Sequence, residues 1–212
     1  MSKDKAKIYA HIGKFTRAYD LTLKLSGYQS SVGQFIKNIP IPVGRAIEVL
    51  DAGCGTGLYT MAVLKRYPKA RVTAFDLNPK FVAALKRKVA KKRWGGRATM
   101  FAADLTGPLP EIAGHKFDLI ITSGVLEHVK LEKTAKRLSD YLTPEGYFLN
   151  SPVRDIPLGR GVTKFYNCKP YPRQRNIEAF TGIGFNLEKT VVLPEILPAS
   201  FKEMHLFKYA AI

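Results

Sequence analysis

The sequence predicts an α/β fold: a doubly wound, mostly parallel sheet of seven strands, its last strand antiparallel, behind a helical N-terminal segment. Three observations carry that reading. Strand-like and helix-like patterns alternate from Ile47 to Ser151, as βαβ units require. An apolar run, VLDAGCGTG at 49–57, passes through one acid into three glycines at every second position. Two apolar runs at 185–193 and 201–210, joined by LPEILPAS, read as an antiparallel closing hairpin.

Residues 5–39 hold two helices broken near Ser26-Gly27, and IPIPVG at 39–44 is a stiff linker. The expected organisation is a helical cap over 1–44 and a sheet-bearing unit over 45–212, within one domain. Ile47, Val49 and Leu50 supply a buried strand that Asp51 closes. Gly53, Gly55 and Gly57 permit positive φ and let a ligand approach without meeting a Cβ. A helix at 58–66 follows, so the glycines deliver that ligand to a helix N-terminus. Then come a strand at 71–77, a helix at 79–94 begun by Pro79, and strands at 98–103 and 117–123. A helix at 131–142 is ended by Pro144 and Gly146 before a fifth strand, YFLNS at 147–151. A last helix is expected at 172–181.

With 212 residues, 46% hydrophobic and 11% aromatic, the chain is globular and large enough for a real core. No apolar run reaches the roughly 18 residues of a membrane span. MSKDKAKIYA has no apolar stretch of signal-peptide type. Cys54 and Cys168 form no C-x-x-C, so neither disulfide framework nor metal site is expected, and a reducing cytoplasm is the simplest setting. The charge is uneven: net +17, with twelve basic residues against one acid, Asp76, between 65 and 97. Such a field attracts RNA or an anionic membrane surface, or serves solubility.

Spacing decides among glycine loops. A dinucleotide fingerprint counted from Gly53 needs its third glycine at 58, where Leu58 stands. A phosphate loop needs G-K-[ST], and no lysine follows these glycines. What stands is D-x-G-x-G-x-G. Acids also fall where a nucleoside needs them: Asp76 ends the second strand, nineteen residues after Gly57, in position to accept from ribose hydroxyls. Asp104 ends the third, in position to accept from an adenine amino group.

The glycine motif, the segment FDLIITSGVLEHV (117–129) and LTPEGYFLNS (142–151) together resemble class I S-adenosylmethionine (SAM)-dependent methyltransferases. The nearest resemblance is to the type 11, ubiquinone/menaquinone-biosynthesis-like subgroup, which has small-molecule and lipid acceptors. It covers roughly residues 45–152 and implies a Rossmann-like sheet with SAM as cofactor. It implies SAM contacts at Asp51, Gly53, Cys54, Gly55, Gly57, Asp76, Leu77, Asp104 and Leu105, with Ser123 beside the methionine portion. Ala-Tyr-Asp at 18–20 resembles the subgroup's segment that folds over the cofactor, which makes Tyr19 a candidate for closing the site. Methyl transfer needs alignment and exclusion of water rather than a metal or a nucleophile–base pair.

Glu127 and His128 lie just past the fourth strand, where an acceptor is expected. His128 is either a base for the acceptor's proton or a residue bonded within a short helical turn. His205, in a strand, reads as structural. The segment 154–175 interleaves basic and aromatic residues after the fifth strand. Arg154, Arg160, Tyr171, Arg173 and Arg175 are expected to hold an anionic acceptor there. The first expectation is a small-molecule or lipid acceptor, with peripheral attachment at an anionic membrane. The alternatives are an RNA methyltransferase, favoured by charge although TSGV is no N/D-P-P-Y/F clamp, and a non-catalytic SAM-binding partner.

Overall fold

The computed structural model describes residues 16–193 and 200–210; the side chains of Thr16, Arg17, Tyr19, Thr22 and Phe165 lie outside that description. Two N-terminal helices, α1 (Thr16–Leu25) and α2 (Tyr28–Lys37), are separated by Gly27 at φ 75. Then follow β1 (Glu48–Ala52), α3 (Leu58–Arg66), β2 (Arg71–Asp76), α4 (Pro79–Lys91), β3 (Ala98–Ala102) and β4 (Phe117–Ser123). The chain continues through α5 (Leu131–Ser139), β5 (Leu142–Ser151), α6 (Pro157–Phe165), α7 (Arg173–Thr181), β6 (Phe185–Val192) and β7 (Glu203–Tyr209).

The sheet has seven strands in the order β3-β2-β1-β4-β5-β7-β6. The first five pair in parallel, and β7 runs antiparallel to both β5 and β6. This is the predicted fold class. Successive strand residues point to opposite faces, so each central strand feeds two cores. Val49, Leu119, Ile121, Leu149 and Leu206 face α2 and α3. Leu50, Ile120, Phe148 and Phe207 face α5 and α7, where Phe180 stacks on Phe207 with centroids 4.4 Å apart. Tyr28, Val32, Phe35 and Ile36 of α2 belong to the first of these cores, continuous with β1. No helix among the described residues is long and apolar enough to cross a membrane.

Three expectations needed correction. The helix over 131–142 stops at Ser139, and β5 starts at Leu142 rather than Tyr147. Pro144 and Gly146 therefore sit inside a strand, where a bulge opposite 117–119 and Glu145 at φ 61 absorb them. The helix over 79–94 stops at Lys91, because Arg93 turns to φ 57 ahead of the Gly95–Arg97 turn. The insertion after β5 contains a helix, α6, started by Pro157 at its first turn.

Candidate active site

Strand order reverses between β1 and β4, and ligands in open α/β sheets bind at the carboxyl ends beside such a reversal. The turn after β1 is built there by its glycines. Gly53 and Cys54 donate their N–H groups to the Phe75 carbonyl at 2.8 and 2.9 Å, which ties the turn to the end of β2. A Cβ on Gly57 would lie 2.2 Å from Leu85 of α4, and one on Gly53 2.3 Å from Val125. Gly55, at φ 53, meets nothing within 4 Å, so its open side belongs to the cavity beside it.

That cavity measures about 710 Å³, within the roughly 300–1,000 Å³ of small-molecule and cofactor sites. One end is lined by Gly53, Gly55, Asp76, Leu77, Asp104 and Leu105. Asp76 is buried, and its two oxygens accept from the Gly55 and Asn78 amides, each at 2.8 Å. Burial raises its carboxyl above the ordinary value, against the pull of those two amides. Asp104 is half-buried, and its Oδ1 accepts from Thr106 N at 2.8 Å and Thr106 Oγ1 at 2.7 Å. Burial pushes it up, but the Thr106 bonds outweigh that and hold it below the usual range.

Asp51, Cys54 and Gly57 do not line the cavity. Asp51 lies under the turn, and its Oδ2 accepts from Thr60 N at 3.0 Å and Thr60 Oγ1 at 2.5 Å, anchoring the first turn of α3. Burial pushes its carboxyl up to about 7. Cys54 is buried, its thiol pushed well up by burial, and Gly57 caps α3. These three build the cradle rather than its surface.

On the side of β4, β5 and β7 the lining includes Ser123, Glu127, His128, Thr163, Tyr166 and Lys202, among others. Ser123 Oγ pairs with Tyr28 Oη at 3.1 Å, and Tyr28 Oη also meets Tyr59 Oη and Ser151 Oγ at 2.8 and 3.0 Å. Glu127 and His128 fall in a 3₁₀ turn, Leu126–His128. Glu127 Oε1 accepts from Val153 N at 2.5 Å, while its buried Oε2 has no hydrogen-bond partner among the described residues. His128 Nε2 lies 3.7 Å from Cys168 Sγ. Tyr19 is on α1, but its side chain lies outside the described residues. Leu23 and Ser26, nearby, do reach the cavity.

The residues expected to grip an anionic acceptor are elsewhere. Arg154, Arg160, Tyr171, Arg173 and Arg175 are absent from the cavity lining. Each is engaged by a neighbour: Arg154 Nη1 donates to Ser200 O at 2.7 Å, and Arg160 pairs with Asp155 at 2.6 Å. Tyr171 Oη donates to Val129 O at 3.0 Å, beneath the Arg175 guanidinium, which pairs with Glu132 at 3.1 Å. Arg173 binds buried Glu203 at 2.7 Å, and Glu203 also meets His205 at 3.1 Å. Burial raises the Glu203 carboxyl, but His205 and Arg173 more than offset it and leave it below the ordinary value. His205 is fully buried, with Thr190 on its other nitrogen at 2.9 Å. Tyr166, an aromatic of the 154–175 segment, does line the cavity. Tyr28 and Lys202 were missed by sequence reasoning, and only the Ser26-Gly27 break beside Tyr28 hinted at either.

The family description "Methyltransferase domain" matches residues 49–146, from the glycine turn through the start of β5. Residues 49–146 of the chain therefore carry a methyltransferase domain. SAM is the cofactor that the methyltransferase domain match implies. Among curated relatives, a malonyl-[acyl-carrier protein] O-methyltransferase of Priestia megaterium is 30% identical over 134 residues, 62% of this chain and 44% of that protein. A tRNA1(Val) (adenine(37)-N6)-methyltransferase of Vibrio campbellii is 34% identical over 74 residues, 35% of this chain and 30% of that protein. The chain spans about half the length, or less, of the curated relatives it matches. Among solved structures, an O-methyltransferase family protein from Burkholderia thailandensis shares the fold at TM-score 0.75 and 15% identity, over 96% of this chain and 62% of that one. The geranyl diphosphate C-methyltransferase of Streptomyces coelicolor, in complex with S-adenosyl-L-homocysteine, aligns at TM-score 0.70 and 12% identity, over 85% of this chain and 76% of that one.

The methyltransferase domain's own residues fit SAM. The open side of Gly55 gives a backbone surface a ligand can approach closely. Asp76 and Asp104 present carboxylates along the same cavity wall for hydroxyl and amino donors.

Proposed function

We propose that this chain transfers the methyl group of SAM to a small-molecule acceptor held in the far end of the cavity. One observation carries the reading: a single cavity runs from the Gly53–Gly55 cradle to His128, Tyr166 and Lys202. SAM supplies an activated methyl electrophile, so the protein must align two partners and keep water out. Asp76, Asp104 and the glycine turn hold one partner. Val153, Val162 and Phe201 give the other an apolar enclosure. Glu127 and His128 stand at the acceptor end, placed to take a proton from an acceptor hydroxyl or amine. The names of the relatives support oxygen methylation of small or carrier-borne acyl groups as the nearest chemistry.

A second reading, with RNA as acceptor, is favoured by the basic face. Of its twelve cations, Arg66, Lys88 and Arg97 are half-buried and bond to backbone carbonyls. The other nine are exposed, and none of them is in an ion pair among the described residues. Incubation with methyl-labelled SAM and fractionated lysate separates the readings. Label in small molecules is expected; counts that RNase removes favour the RNA acceptor, and counts in a lipid extract favour a membrane-borne one.

A further inference from the structure

Lys202 is a charged lining group that no role above employs. It is 5% exposed, and its Nζ donates to the Ser151 carbonyl at 2.6 Å. No ion pair among the described residues includes it. An ammonium carries three N–H donors, so two remain without an acceptor there. Burying such a charge is costly unless a counter-charge or further acceptors compensate it. A residue needed only for packing would be met by Met or Leu.

Its place in the fold says which partner is missing. Lys202 bridges Val153 just past the carboxyl end of β5, and its Nζ stands 3.5 Å from the position of a Cβ on Gly124, just past β4. Asp76 and Asp104 lie at the ends of β2 and β3, across β1 from it. Lys202 thus belongs to the acceptor end. In a chain with 34 Lys and Arg, it is the one such residue among those described as lining the cavity. Apolar Val153, Val162 and Phe201 line the same cavity. One ammonium among apolar walls matches a single negative charge on an apolar body. The second negative charge of a phosphate ester would meet no second lysine or arginine among the described residues of this lining. Glu127, in the same lining, is tied through Oε1 to the Val153 amide and forms no ion pair with Lys202 among the described residues.

Building on the methyl-transfer reading, we infer that Lys202 is a specificity-determining residue that anchors the carboxylate of an apolar-bodied carboxylic acid acceptor. The test is calorimetry at fixed ionic strength. S-adenosylhomocysteine is first titrated into the wild-type chain and into Lys202→Met and Lys202→Gln. The saturated proteins are then titrated with butyrate and benzoate, their methyl esters, and inorganic phosphate. S-adenosylhomocysteine should bind all three proteins within twofold. Wild type should take an acid at least tenfold more tightly than its ester, with phosphate weaker than either acid. Both variants should lose that preference. Absence of S-adenosylhomocysteine binding to wild type sinks the cofactor reading instead. Three results overturn the Lys202 assignment: equal acid and ester affinity in wild type, no heat from either acid, or unchanged acid preference in a folded variant. A parallel loss of S-adenosylhomocysteine affinity in the variants also overturns it, since Lys202 would then hold the cofactor. The acid–ester contrast in wild type stands even if neither variant folds.

Discussion

The two ends of the cavity are built by different means. The cofactor end is made of backbone and strand-end carboxylates from one stretch, residues 53–55, 76–77 and 104–105, each following its own strand. The acceptor end is assembled from the 3₁₀ turn, α6 and the approach to β7, segments up to about 75 residues apart in the chain. Backbone cradles depend on local φ and on the absence of a Cβ, so they tolerate little change. Side-chain walls depend on which helix packs where, and exchange of one residue alters preference before it alters architecture.

Gly55→Val acts most strongly on the cofactor end. The substituted Cβ would occupy the open cradle at a backbone of φ 53, and S-adenosylhomocysteine affinity by calorimetry should fall more than about a thousandfold, roughly 4 kcal/mol. An unchanged Kd would remove the glycine turn from the site.

Asp51 probes the floor beneath that cradle. Its carboxyl is held at about 7, above the 3.8 of an unperturbed group, so the folded chain binds more protons than the unfolded one between those values. Stability from this group therefore falls as pH rises from about 4 to 7, by up to about 4 kcal/mol, and is level above. Asp51→Asn should flatten that part of the profile in denaturant titrations. An unaltered slope would show that Asp51 ionises normally.

Paired substitutions then compare the ends directly. Asp76→Ala should weaken S-adenosylhomocysteine by about 30-fold or more through the loss of charge-assisted hydrogen bonds. His128→Ala should leave that Kd within twofold while kcat drops about 10²-fold if the ring takes a proton. A drop in both constants for His128→Ala would move it into the cofactor end.

Glu203→Gln tests the Arg173 cluster, which should act on folding and not on the cavity. Loss of the buried charge should cost about 2 kcal/mol at neutral pH. Because its folded pKa is lowered, this contribution is present above the ordinary carboxylate pKa and fades as pH falls through the folded value, so the variant and wild type should converge in acid. Arg160→Ala is the smallest case. Its pair with Asp155 is exposed, so both stability within about 0.5 kcal/mol and acceptor KM should be unchanged.

Legibility followed the same division. The strands at 117–123 and the helix at 58–66 carried their own period and boundary signals and appear with those bounds. The start of β5 did not, because its Pro144 and Gly146 read as punctuation until a neighbouring strand absorbs them in a bulge. In the site, Gly55, Asp76 and Asp104 were visible from spacing to strand ends. The arginines of 154–175 were visible as charges but not as spent ones. Glu203 and Glu132, 30 and 43 residues from their partners, engage Arg173 and Arg175. Lys202 sent no local signal at all.

Local sequence was enough to specify the layered α/β sheet and the glycine cradle, because alternation of apolar residues and freedom from a Cβ are properties of neighbouring residues. Tertiary structure alone decided that five expected binding residues pair off outside the cavity. It also brought Tyr28, Tyr166 and Lys202 to face it, because burial and charge pairing belong to segments that meet only when the sheet closes.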